Sequence, residues 1–297
     1  MPSQRQPIFN VPASILAILG FLIVAHFIRL QVSEATDAEI LRQLSFVPAR
    51  VSWLWDPQAV KMHVANLASQ GASGQNAAQD AQFFIGDGSL KIWTLLTYAA
   101  LHGSWVHLGS NGVWLLAFGS PVAKRFGTWR FILFFCFTAI AGAGAHFLAH
   151  PYGVDPVIGA SAAVSGAMGA AMRFAFQQGG PLGLGGGDAW VQPLSVAGVF
   201  KDRRTLTFLV VWFVTNFLFG VAAVPMGISN APIAWEAHIG GFLAGLFGFF
   251  LFDPPAALMR EKLASEAQQA HSDDMAGDMP AEYKTGGQDD GRSHSGE

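Results

Sequence analysis

Four side chains of the types that cut acyl bonds occur in three separate apolar stretches of this sequence. Ser161 stands in Gly159-Ala160-Ser161, and His238 stands in Ala237-His238-Ile239-Gly240-Gly241. His107 and Asn111 are four residues apart, which on a helix places them on one face. His102 lies just upstream. A serine hydroxyl is a weak nucleophile until a base takes its proton. A neutral imidazole can be that base near pH 7 and can return the proton to the leaving amine. The oxyanion of a tetrahedral intermediate needs donors. The backbone N–H of Ser161, the amide of Asn111 and a ring N–H of His107 are suitable types, each worth ~2.7–4 kcal/mol where water is scarce. Alone, Ser161 reads as a packing residue whose hydroxyl bonds to a carbonyl one turn back. The chemical reading requires elements that bring the other side chains to its depth.

Those elements are apolar helices. The 297 residues are 52% hydrophobic and 12% charged, against about a quarter charged in soluble domains, which points to a membrane protein. A net charge of −3 gives no footprint for nucleic acid. The single cysteine, Cys136, lies inside an apolar run and cannot form an internal disulfide. Runs long enough to span a bilayer, about 20 residues each, occur at 11–30, 104–122, 131–149, 157–176, 206–226 and 235–252. The predicted fold is therefore an all-α polytopic bundle of six transmembrane helices. The 11–30 run is longer than the roughly 7–15 residues of a signal-peptide core, so it is read as a retained first helix.

Four regions follow: 1–30 with the first helix, a long loop with interfacial helices at 31–101, a five-helix core at 102–253, and a disordered tail at 254–297. Within the loop, 45–56 is a Trp/Arg segment suited to an interface, and 69–88 is Gly/Ala/Gln-rich and reads as loop or short helices. With the N-terminus inside, Lys124, Arg125, Arg130 and Lys201–Arg204 fall on the inner side. The short loops at 150–156 and 227–234 hold no Lys or Arg and fall outside, which is the positive-inside asymmetry. It suits a bacterial inner membrane with both termini cytoplasmic.

This orientation, set by Lys and Arg alone, places His107, Asn111, Ser161 and His238 at one level, one to two turns below the outer surface at ~1.5 Å per residue. Polar side chains at membrane depth are costly and are expected to line a hydrated cavity or to carry function. No carboxylate is placed to orient His238, since Glu236 faces elsewhere on a helix and Asp155 lies in a loop, so a Ser161–His238 dyad is expected. Gly159, Ala163, Gly166 and Ala170 form small-residue rows that suit a central helix. Gly240, Gly241 and Gly245 would let the last helix approach it closely.

With these residues in place, the chain resembles the rhomboid intramembrane serine proteases over residues about 90–252. The shared pattern is a His-x4-His-x3-Asn helix, a Gly-x-Ser helix and an Ala-His-x-Gly-Gly helix, in that order, here His102/His107/Asn111, Gly159/Ser161 and Ala237–Gly241. The resemblance implies that Ser161 is the nucleophile and His238 the base. It further implies that His107 and Asn111 bind the oxyanion and that His102 is a structural residue at the mouth. Three places depart from the family: Ala162 follows the serine where Gly is common, Trp93-Thr94 stands where Trp-Arg is common, and Ser165 takes the place of an aromatic. Ser165 leaves His238 less firmly held or offers it a hydroxyl. The implied substrates are transmembrane proteins, cut at unwound segments because an intact helix shields its carbonyls. They would be admitted laterally past helix 206–226 and loop 227–234, where Gly220, Pro225 and Gly227 would permit motion and Phe217 and Phe219 line the way.

Two alternatives stay open. One is a catalytically weak or inactive rhomboid-like protein that binds membrane clients. The other is a metal enzyme built on the pairs His102/His107 and His146/His150, though no third pair or intramembrane carboxylate accompanies them. No metal and no cofactor are expected, and His146, His150 and His26 read as interfacial residues. The expected partners are transmembrane substrates and the lipid bilayer, with no nucleic acid.

Overall fold

Apolar stretches this long must bond their own backbone, and in the computed structural model they do so as helices. It describes residues 11–183, 187–222 and 233–255, together with 264 and 268. The chain divides into two units, Met1–Asp253 and Pro254–Glu297. Most of the tail expected at 254–297, Pro225, Gly227, most of loop 227–234 and the Phe219 side chain lie outside the described residues.

The first unit is all helical among its described residues, with one isolated bridge between Phe46 and Val157. Its helices are α1 (Ala13–Gln31), α2 (Glu34–Leu44), α3 (Pro48–Ser52), α4 (Pro57–Ala68), α5 (Gly71–Ile85) and α6 (Thr94–Thr97). Then come α7 (Trp105–Trp114), α8 (Ser120–Phe126), α9 (Thr128–Ala149), α10 (Ser161–Ala171), α11 (Val196–Val199), α12 (Arg203–Ala222) and α13 (Trp235–Phe252). Three of these, α1, α9 and α13, are long and apolar enough to cross a membrane. The exposed faces of α1 (Phe21, Val24, Phe27), α9 (Leu133, Ile140), α12 (Val210, Val214) and α13 (Phe247, Phe250) carry large apolar side chains. Such a girdle on a soluble surface would be an aggregation site; against lipid it is the expected outer face. The chain is therefore an all-α integral membrane protein.

The other expected spans take different forms. Residues Trp105–Phe126 make one helical run, α7 to α8, with a π-turn at Leu115–Gly119. The stretch expected as a helix from 157 starts only at Ser161 and ends at Ala171. Its eleven residues rise ~16 Å, about half a hydrocarbon core. Two features stop it. Val157 is held extended by Phe46, the two backbones exchanging bonds of 2.8 and 3.1 Å. Beyond the other end, the Arg173 guanidinium donates to the Leu194 and Leu246 carbonyls.

Every residue from Ala162 to Ala171 is buried, so α10 is the centre of the bundle. Its neighbours are α9 and α13, and missing side chains are what let them in. A Cβ at Gly241 would fall on the Ala162 carbonyl, one at Gly245 on the Gly166 carbonyl, and one at Gly169 on the Phe242 carbonyl. Gly240 is turned differently from the expectation. It faces α9, where a Cβ would meet Ala145 and the Ala141 carbonyl.

The stretch 31–91 is more ordered than a polar insertion. Gly74, Ala78, Ala81 and Ile85 form a stripe at helical spacing along α5 and pack on Val60 and Val64 of α4, so the 69–88 segment is mostly one fifteen-residue helix. Arg50 closes this layer. It is 1% exposed, and its guanidinium donates to the carbonyls of Phe84, Ser45 and Arg42. Burial pushes it down to about 10, which leaves it charged at neutral pH. The layer is tied to the bundle where Arg29, paired with Asp37 at 2.7 Å, also donates to the His102 carbonyl.

Candidate active site

The site lies where α7, α10, α12 and α13 meet at one end of the bundle. Ser161 is the first residue of α10, and His238 is in the first turn of α13. His238 Nε2 is 2.8 Å from Ser161 Oγ. The close approach of Gly241 to the Ala162 backbone sets this distance, because it draws the two helix starts together. The first N–H groups of α10 have no acceptor within the helix, and the helix dipole adds partial positive charge there. An oxyanion formed at Ser161 would meet those groups.

Gly159 is required twice. Its φ of +119° suits a residue without Cβ, and a Cβ there would lie 2.8 Å from His107 Nε2 and 3.7 Å from Ser161 Oγ. His107 and Ser161 thus flank this glycine from opposite elements. The turn is held by Gly159 N–H donating to the Tyr98 carbonyl at 2.9 Å, while the Tyr98 hydroxyl donates to the Ala139 carbonyl at 2.8 Å. Ser104 caps α7 by accepting from the His107 N–H at 3.1 Å.

The remaining expected residues are placed as follows. Asn111 is buried one turn from His107, and its amide donates to the His107 carbonyl at 3.2 Å, not to the serine. His102 is fully buried, its ring edge-on to His107 with centroids 5.0 Å apart, and its Nε2 faces the Ala160 N–H at 3.5 Å. Ser165 is buried one turn along α10. It does not serve as a partner of His238, because both ring nitrogens of that histidine are engaged elsewhere. His26 is buried, its ring edge-on against Trp105 with centroids 4.7 Å apart.

The second nitrogen of His238 shows what the sequence reading missed. Nδ1 is 2.7 Å from Asn216 Oδ1 on α12. An amide oxygen only accepts, so Nδ1 carries the proton and Nε2 keeps a lone pair for the serine proton. The reverse amide orientation would put the proton on Nε2 and spoil it as a base. Asn216 thus meets the His238 ring on the nitrogen away from Ser161 with a neutral group. Its signal in the sequence is one amide within the otherwise apolar 206–226 stretch, with no spacing partner.

Two neighbouring features differ from expectation or extend it. Glu236 does face away from His238, but towards α9, where it bonds both His146 and His150. A cavity of about 530 Å³ opens among Phe176, Gln178 and Lys201–Arg204, and a second of about 470 Å³ lies among Arg203, Arg204, Thr207, Phe208 and Val211. Neither is lined by Ser161 or His238.

Fold and site together define a polytopic helical membrane protein with a serine–histidine pair between its helices. The family model of the Rhomboid domain matches residues 89–254, more than half of the chain, and the chain belongs to the rhomboid family. It is 32% identical over 165 residues to the rhomboid protease GluP of Bacillus subtilis, covering 56% of this chain and 27% of that protein. It is 25% identical over 219 residues to RHOMBOID-like protein 5 of Arabidopsis thaliana, covering 73% and 58%. To the rhomboid protease GlpG of an Enterobacter species it is 26% identical over 157 residues, covering 52% and 46%. The aligned parts thus span between about a quarter and three-fifths of these relatives' own lengths.

Proposed function

We propose that this chain is an intramembrane serine endopeptidase of rhomboid type that cuts transmembrane or juxtamembrane segments of membrane proteins. The observation that carries the reading is the 2.8 Å contact between Ser161 Oγ and His238 Nε2. In the proposed reaction, Ser161 Oγ attacks the scissile carbonyl carbon while His238 Nε2 takes its proton. Nδ1–H stays on Asn216 Oδ1 and fixes the ring. The oxyanion is held by the N–H groups at the start of α10, with His107 and Asn111 beside them. The intermediate collapses as His238 returns the proton to the leaving amine, and water then repeats the cycle on the acyl enzyme. His102 and Gly159 position His107, and Gly240 and Gly241 position His238.

The same proposal includes six membrane crossings, with α7–α8, α10 and α12 joining the three long apolar helices. It places both termini in the cytoplasm of a bacterial cell, the 31–101 layer and the serine on the outer side, and the tail from 254 inside. Substrates would enter beside α12.

The test is covalent labelling by a fluorophosphonate probe in detergent, on the wild type and on Ser161→Ala, Ser165→Ala and His238→Ala. We expect labelling to vanish with Ser161→Ala and His238→Ala and to persist with Ser165→Ala. Turnover of a transmembrane substrate should fall by more than about 10⁴-fold in the first two. Folded wild-type protein that takes up no probe would leave the client-binding reading in its place.

A further inference from the structure

The cluster that Glu236 makes with α9 has no role in the serine chemistry, and its composition is that of a cation site. His146 lies in the last turn of α9, and His150 is the residue that caps its end, its N–H donating to the His146 carbonyl at 2.9 Å. Their ring centroids are 5.0 Å apart. Glu236, in the first turn of α13, meets both: its Oε2 is 3.3 Å from His146 Nδ1, and its Oε1 is 2.9 Å from His150 Nε2. The three donor atoms lie within 4.8 Å of one another. Metal–ligand bonds of about 2.0–2.2 Å in a tetrahedron put neighbouring donors about 3.3 Å apart. Each histidine already lies at about that distance from one of the two Glu236 oxygens, so small side-chain adjustments would gather one donor from each residue around an ion.

We infer that His146, His150 and Glu236 form a binding site for a divalent d-block cation of the zinc class. Two imidazoles and a carboxylate favour such an ion over magnesium or calcium, which prefer all-oxygen shells. The ion has a route in, because the His150 side chain is half exposed while those of His146 and Glu236 are largely covered. Water completes the coordination from the exposed side. Its negative charge is supplied by Glu236, and Asp155 also acts electrostatically on His146. The bound ion would join the end of α9 to the start of α13, two residues before His238, and so stiffen that helix start. The inference stands apart from the proteolytic reading.

The experiment uses the full-length protein in detergent, purified without a histidine tag and stripped with chelator. Co²⁺ is titrated and its visible ligand-field absorption followed, and unfolding temperature is read with and without Zn²⁺. We expect one tightly bound Co²⁺ per chain with a tetrahedral-type spectrum, and a rise in unfolding temperature on adding Zn²⁺. The His146→Ala/His150→Ala variant should bind at least about tenfold more weakly, and Glu236→Gln should also lose affinity while keeping its hydrogen bonds. Ser161→Ala/His238→Ala should retain full Co²⁺ uptake, which separates this site from the serine–histidine pair. Wild type that shows no Co²⁺ band overturns the inference. So does uptake that is unchanged both in the double histidine variant and in Glu236→Gln.

Discussion

The two ends of α13 are held in opposite ways. At its start, His238 takes part in two neutral hydrogen bonds, to Ser161 and Asn216, Glu236 meets His146 and His150 at a partly exposed rim, and Trp235 packs against Phe217 and Gly220. At its end, Asp253 receives both forks of the Arg125 guanidinium, at 2.6 and 3.1 Å. The same guanidinium donates to the Ala189 and Val191 carbonyls and lies over Phe174 and Phe249. Arg125 has no exposed side-chain surface. Charge-assisted, bidentate bonds in an apolar surround are hard to break one at a time. Neutral bonds between separate helices are weaker and more easily exchanged. The chain thus anchors α13 at the end remote from the serine by a buried ion pair, and holds its start by neutral hydrogen bonds and by the partly exposed contacts of Glu236 with His146 and His150.

The largest effect that would sharpen this contrast is on stability. Asp253→Ala strands the buried Arg125 and should destabilise the fold by ~3–5 kcal/mol. Turnover per folded molecule should be nearly unchanged, because nothing at that end touches Ser161. Unfolding monitored by helical signal against denaturant, beside a rate normalised to folded protein, checks both halves. A rate collapse with little loss of stability would reverse the assignment of the two ends.

Next comes the seam between the ends. Gly245→Val would drive its side chain into the Gly166 carbonyl, and overpacking of this kind costs ~1–3 kcal/mol. Since α10 carries Ser161 on the same rod, both stability and rate should fall. A variant that kept full stability would show that α10 and α13 are free to separate, contrary to the interlock of their backbones.

How far the sequence led is clearest at particular residues. Polar residues at one depth in apolar stretches marked Ser161, His238, His107 and Asn111, since lipid leaves them few other reasons to be there. Asn216 stays hidden at this level, because a lone amide in a span has no periodic partner to reveal its direction. The start of α10 is hidden too. Val157–Ala160 is as apolar as the helix after it, and only the pairing with Phe46 and the φ of Gly159 end the helix at Ser161. Arg50 and Arg125 were read as parts of a polar loop and of an inner cationic loop, yet both are buried. A guanidinium that finds three carbonyls or a carboxylate looks in sequence like any loop cation. The Gly/Ala/Gln stretch at 71–85 concealed a helix for a related reason: its small apolar stripe needs α4 opposite before it reads as a face.

Among the contacts at the start of α13 that do not involve the serine, the one to Asn216 carries the larger expected effect on rate. Asn216→Ala removes the acceptor that keeps the proton on His238 Nδ1. A neutral hydrogen bond is worth ~1–1.5 kcal/mol, so kcat should drop roughly five- to twelvefold. KM should hardly move, since Asn216 acts through the histidine and not on the substrate. Asn216→Asp keeps an acceptor in place and should recover most of the loss. A KM change with constant kcat would make Asn216 a substrate contact and not a positioning residue.

The smallest expected effect tests whether the loose end is also the opening end. Phe217 on α12 meets Trp235 edge to face at 5.9 Å, and such a pair contributes ~0.5–1.5 kcal/mol beyond its buried area. Phe217→Ala should loosen α12 from the start of α13 by about that much. If admission of a transmembrane segment past α12 limits turnover, the rate on such a substrate should rise by roughly two- to tenfold. Labelling by a small fluorophosphonate, which needs no such opening, should stay constant. Equal acceleration of both would mean that the substitution altered the serine itself. No acceleration of either would mean that α12 is as firmly set as the Arg125 end, and the contrast between the two ends of α13 would then rest on hydrogen bonding alone.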